Sequence, residues 1–120
     1  MRIPFSPGEQ RRYRTQVTDD KIAQFHGETV HPYYSTFALA QDAEWACRLF
    51  VLEMKEPDEE GIGTYLSVHH VGTVPVGSEV DIIATLLWVR GNTVHCSYEV
   101  WWGTNRVAYG EQTQKVLKKR

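Results

Sequence analysis

Two hydrophobic periodicities divide the chain near residue 61. Beyond it, apolar and polar positions alternate with a period of two through GTYLSVHHV, SEVDIIATLLWV, TVHCSYEVWW and VAYGEQTQKVL. These segments are rich in Val, Ile, Thr, Tyr and Trp, the residues that suit a pleated, half-buried surface. Turn-forming groups separate them at Pro75-Val-Gly77, Arg90-Gly91-Asn92 and Gly103-Thr-Asn105. Short turns between successive strands predict antiparallel pairing in a meander. Upstream, Ser35 to about Met54 contains neither Gly nor Pro, and Pro57 closes it. This stretch predicts one long helix, apolar over more than half its circumference and therefore mostly buried. Gln10 to Val17 alternates as an edge strand does. Thr18-Asp19-Asp20 reads as a helix start, which predicts a short helix with Ile22, Ala23 and Phe25 inward, stopping near Gly27. The pattern gives an α+β class: one helix wrapped by an antiparallel sheet of about five strands.

Composition narrows this without changing it. The chain has 120 residues, enough for one domain spanning 1–120, with 42% apolar and 23% charged residues. A net charge of -2 gives no basis for nucleic-acid or anionic-membrane binding. The basic tail Lys115, Lys118, Lys119 and Arg120 reads as a solvated terminus. No stretch approaches the ~20 apolar residues that span a bilayer, and the first residues lack the apolar core of a signal peptide. Cys47 and Cys96 stand far apart in apolar surroundings, as buried free thiols of a cytoplasmic protein do.

The polar residues inside the apolar pattern each have an ordinary structural reading. Glu44 has Arg48 one helical turn on, an i,i+4 ion pair. Thr36 is an N-cap, or Ser35 caps and Thr36 opens the first turn. His69 and His70 must face opposite sides of their strand. If Leu66 and Val68 pack on the helix, His70 joins them, while Tyr65, Ser67 and His69 look away. Such neighbours do not converge on one ion, so no metal site is expected. His26 and His31 flank the helix entrance, where they either line the cleft or, as the more ordinary reading, occupy surface turns, and His95 falls on an exposed strand face. Trp101, Trp102 and Tyr98 suit a core or an interface better than base stacking.

Three stretches taken together carry more. HPYYSTFALAQDAEWAC, GIGTYLSVHHVGTVPVGSEV and AYGEQTQKVL resemble the fluoroacetyl-CoA thioesterase-like branch of the hot-dog thioesterases. That branch has a Thr or Ser at the mouth of the central helix and a Glu eight residues on. A Gly-Thr then opens the next strand, a His follows seven residues after that Gly, and a Pro-x-Gly turn comes next. Here these are Thr36, Glu44, Gly63-Thr64, His70 and Pro75-Val-Gly77. The resemblance implies a hot-dog fold and a homodimer or a dimer of such dimers. It also implies hydrolysis of an acyl-CoA thioester, with no cofactor beyond the coenzyme A that the substrate carries. The segment Lys21 to Tyr34 is short where fluoroacetyl-specific members carry an aromatic lid, so fluoroacetate specificity is not implied. Gly110-Glu111-Gln112-Thr113 stands where members commonly show Gly-x-His/Thr, and His69 lies outside the usual pattern.

Within that resemblance His70 is the general base, since imidazole titrates near neutral pH. Glu44 either orients the imidazole or attacks the thioester, and Thr36 positions water or acts as a nucleophile. Backbone N–H groups at Gly63-Thr64 are candidate oxyanion donors. Phe37 and Tyr34, with Tyr33 and Phe25, are candidates for shaping the acyl pocket. Arg48, Arg90, Arg106 and Lys115 are candidate contacts for the phosphates of coenzyme A. Two other readings stay open: a non-catalytic module binding acyl-CoA or an acyl carrier, and a structural dimerisation module. A hydratase is disfavoured, because its Asp-x-x-x-x-His motif is absent.

Overall fold

Five long strands form one antiparallel sheet around a single long helix in the computed structural model, which describes residues 1–120. In chain order the elements are β1 (Gln10–Gln16), β2 (Ile22–Phe25), β3 (Glu28–Tyr34), α1 (Thr36–Met54), β4 (Glu59–Leu66), β5 (His69–His70), β6 (Glu79–Arg90), β7 (Thr93–Trp102) and β8 (Asn105–Lys118). The sheet order is β1-β6-β7-β8-β4, with β5 continuing beside β8 and β2-β3 forming a separate hairpin. This is the expected hot-dog architecture.

Period-two alternation fixes the inner face. Val80, Ile82, Ala84 and Leu86 of β6 are buried, as are Val94, Cys96, Tyr98 and Val100 of β7. Helix residues Ala38, Leu39, Ala43, Ala46, Cys47, Phe50, Val51 and Met54 pack onto that face. Small side chains on this side of α1 let it approach the sheet closely, and interlocked packing follows. The opposite side of α1 is not covered within the protomer: Phe37 is 83% exposed and Trp45 42%. Burial of α1 is therefore less complete than its composition predicts.

Two expectations change. Residues 18–27 form no helix. A single 3-10 turn at Asp19–Lys21 runs straight into β2, and Thr18 makes no side-chain cap. His26 and Gly27 both have positive φ, 53° and 79°, which closes a two-residue hairpin and leaves Phe25 exposed. Second, β4 and β6 are not neighbours. β4 lies outside β8, and the meander is confined to β6, β7 and β8. The segment carrying Pro75 and Gly77 is a crossover that pairs with β3. Tyr34 N–H donates to the Val74 carbonyl at 2.8 Å and Val76 N–H to that of Pro32 at 3.0 Å.

Candidate active site

Ser35 caps α1, its Oγ accepting from the Ala38 N–H at 3.1 Å. Thr36 is thereby the first helical residue, and its hydroxyl is free of capping duty. That hydroxyl lies 2.9 Å from Nδ1 of His70. His70 reaches it because the strand breaks after Leu66 and resumes as β5. Ser67 N–H donates to the Glu111 carbonyl at 2.9 Å, and the Tyr98 hydroxyl donates to the Ser67 carbonyl at 2.7 Å. Gly110 permits this crossing, since a Cβ there would collide with the Ser67 carbonyl. Thr36 and His70 line a cavity of about 390 Å³ with His31, Tyr33, Tyr34 and Val71. His70 Nε2 is buried there without a partner. Burial, and secondarily the charge of His31, hold the imidazole below its ordinary pKa against an opposing pull from the Gly72 backbone. The neutral ring that a general base requires is thus favoured.

Glu44 stands apart from this pair. The i,i+4 ion pair with Arg48, the ordinary structural alternative for Glu44, does not form: Arg48 is bound to the Glu60 carboxylate and donates to the Gly61 carbonyl at 3.3 Å. Glu44 makes no hydrogen bond or ion pair, and its carboxylate lies over Gly63, where a Cβ would collide with it. It lines a second cavity, of about 260 Å³, with Phe37, Ala40, Gln41 and Leu66. The register shift between Gly63 and Tyr65 makes Thr64 the extra residue of a bulge, outside the ladder with β8. Its hydroxyl donates to the Thr113 carbonyl at 3.3 Å.

The chain therefore holds two separate pairs, Thr36 with His70 and Glu44 with Gly63. Eight residues of α-helix separate Thr36 from Glu44, about 12 Å along the axis at ~1.5 Å per residue. Tyr34 contributes only its ring to the first cavity wall, because its hydroxyl donates to the Asp42 carboxylate. Burial and that carboxylate push the Tyr34 hydroxyl far above its ordinary pKa. Phe37 belongs to the second cavity, and Phe25 lies in neither.

Asp42 and Gln112 escape a reading based on apolar periodicity. Asp42 is buried and joins Lys21 at 3.1 Å, fixing the β2–β3 hairpin to α1. Gln112 and Gln114 share the inward parity of Val116 on β8, and alternation alone places both inside. His69 faces outward as expected, stacked on Tyr109 at 4.8 Å. His95 does too, 2.8 Å from Glu111 and stacked on Trp88. Of the basic candidates, Arg48 and Arg106 are held by Glu60 and Glu99, whereas Arg90 and Lys115 form no ion pair.

Comparison with known proteins completes this description. Residues 17–120 match the family model described as fluoroacetyl-CoA-specific thioesterase. A hypothetical protein of Thermus thermophilus, described as a thioesterase superfamily member, superposes with a TM-score of 0.90 at 29% identity, covering 97% of this chain and 86% of its own. A fluoroacetyl-CoA thioesterase variant in complex with acetyl-CoA superposes with a TM-score of 0.88 at 22% identity, over 95% and 90% of the two chains. A hot-dog-like protein from Thermanaerovibrio acidaminovorans gives 0.86 at 21% identity, over 96% and 85%. No curated protein matches the chain significantly.

Proposed function

The chain belongs to the fluoroacetyl-CoA-specific thioesterase family and is an acyl-CoA thioester hydrolase, and we propose that Thr36, Glu44 and His70 carry out its reaction in a site shared between two protomers. The observation that carries this reading is the 2.9 Å contact between Thr36 Oγ1 and His70 Nδ1, at an imidazole that lines a cavity and whose neutral form burial favours. Water attacks the thioester carbonyl carbon. Thr36 takes the water's proton as it passes its own to His70. The C–S bond then breaks, and the imidazolium returns the proton to the departing thiolate. Gly63 and the bulged Thr64 offer backbone N–H groups to the developing oxyanion, and the Glu44 carboxylate stabilises the imidazolium.

The last role requires a partner, because Glu44 is two helical turns from Thr36. β4 is a free sheet edge with Ile62 and Tyr65 exposed, and Phe37, Trp45 and Leu52 are exposed on α1. Exposed edges invite pairing. Two-fold β4–β4 pairing covers these residues and brings the Glu44 half-site of one protomer to the Thr36–His70 half-site of the other. Arg90 and Lys115 are the proposed contacts for the phosphates of coenzyme A. The reaction needs no other cofactor. A reducing cytoplasmic setting fits the buried free Cys47 and Cys96, and no helix is long and apolar enough to cross a membrane.

The test is thiol release from a panel of short, long and aromatic acyl-CoAs, comparing wild type with His70→Ala and Glu44→Ala. Folded variants that lose turnover support the assignment. Binding of acyl-CoA with no wild-type turnover points instead to a binding module.

A further inference from the structure

Gln112 is 1% exposed, and its Nε2 has no hydrogen-bond partner. A buried donor left unpaired costs stability, so such a group calls for an explanation. Its orientation is fixed by a chain of contacts. Gln114 Nε2 donates to the Cys47 carbonyl of α1 at 3.2 Å and to Gln112 Oε1 at 3.2 Å. A backbone carbonyl can only accept, so Gln114 presents N–H groups and Gln112 must present its oxygen to them. Nε2 is therefore the free end of the Gln112 amide. It lies 3.6 Å from the point where a Cβ would stand on Gly63, and the Glu44 carboxylate overlaps that same point. A buried donor without an acceptor and a carboxylate without a donor thus flank one glycine.

We propose that Gln112 is a positioning residue: its Nε2–H donates to the Glu44 carboxylate and holds it over Gly63 in the working enzyme. Gln114 and the Cys47 carbonyl anchor the amide from behind, so the chain ties the placement of Glu44 to the body of α1. Gly63 supplies the room, since any side chain there would occupy the carboxylate's place. The inference rests on the catalytic use of Glu44 proposed above. Gln112 touches neither substrate nor reacting atoms and acts through Glu44 alone.

A double-mutant cycle tests it, using Gln112→Met, which keeps length and volume and removes the donor. In the wild-type background it lowers kcat about ten- to a hundredfold, the effect of one charge-assisted hydrogen bond, with KM little changed. Gln112→Glu, which keeps the shape and the bond from Gln114 but repels Glu44, lowers kcat at least as far. In a Glu44→Ala background Gln112→Met has no further effect. An equal loss in both backgrounds overturns the proposal, as does a loss confined to KM. A readout independent of turnover is the Gln112 side-chain amide signal in a 15N-correlated NMR spectrum. It shifts when Glu44 becomes Ala if the bond exists, and an unmoved signal overturns the proposal. Unimpaired hydrolysis by Glu44→Ala would instead refute the catalytic use of Glu44, while the amide signal would still report whether Gln112 holds it.

Discussion

Thr36 Oγ1 and His70 Nδ1 lie 2.9 Å apart, although 34 residues separate them in sequence. The contact joins the first residue of α1 to the last of β5, and it exists because Ser35 takes over the capping of the helix. Thr36→Ala therefore removes the proposed proton relay without uncapping α1. It should lower kcat about a hundredfold or more, the usual contribution of positioned proton transfer, while the melting temperature stays close to wild type. Thr36→Ser keeps the hydroxyl and should retain most of the activity. Ser35→Ala should do the reverse, costing about 1 kcal/mol of stability. Steady-state kinetics paired with thermal melts separate the two.

The pH profile follows from the surroundings of His70. Burial holds its pKa below the ordinary 6.5, and His31 adds to the effect. As the proposed base, His70 must be neutral, so kcat/KM should fall on acidification with an apparent pKa under 6.5. His31→Gln removes a like charge and should move that limb upward. The stability sign is also set. The unfolded chain takes up the proton first, so this site favours folding less as pH drops through 6.5 toward the folded value. A profile unmoved by His31→Gln would contradict the electrostatic reading of the cavity.

Two glycines should respond differently to the same methyl group. At Gly63 a Cβ meets the end of the Glu44 side chain, which can swing away, so Gly63→Ala should fold normally and lose turnover. At Gly110 a Cβ meets the Ser67 carbonyl, which is backbone. Gly110→Ala should therefore destabilise the protein by about 1–3 kcal/mol, as overpacking does. Denaturant midpoints and kcat for the two variants check this pairing.

Much of this was legible in the alternation of residues. The helix from Thr36 to Met54 lacks breakers and packs one wide apolar face, and both properties are local. β6, β7 and β8 are joined by two tight turns, so sequence neighbours became spatial neighbours. The misreadings share a cause: non-local pairing overruled local propensity. Ile22 to Phe25 became a strand because the His26-Gly27 turn folds it onto β3, and His26 adopts a positive φ that is uncommon outside glycine. β4 passed over β6 because its hydrogen bonds go to a strand that begins some forty residues later. Within the candidate site, the Thr36–His70 pair was readable from motif spacing. Release of Glu44 from Arg48 was not, since it depends on Glu60 arriving from β4. Gln112 breaks the apolar pattern of β8, although its parity with Val116 already places it inside.

The central claim is a composite site, and mixing two inactive variants tests it most directly. Glu44→Ala and His70→Ala are each expected to be nearly inactive. If the half-sites meet across a two-fold interface, a mixed dimer has one site with both defects and one with neither. Random mixing then restores about a quarter of wild-type activity, half of the dimers being mixed with one good site of two. The measurement is thiol release after co-refolding equal amounts of the two variants, with each variant refolded alone as control. Recovery near that fraction is the predicted result. Activity no greater than that of the separate variants would contradict the account, because a site built within one chain cannot be complemented by another.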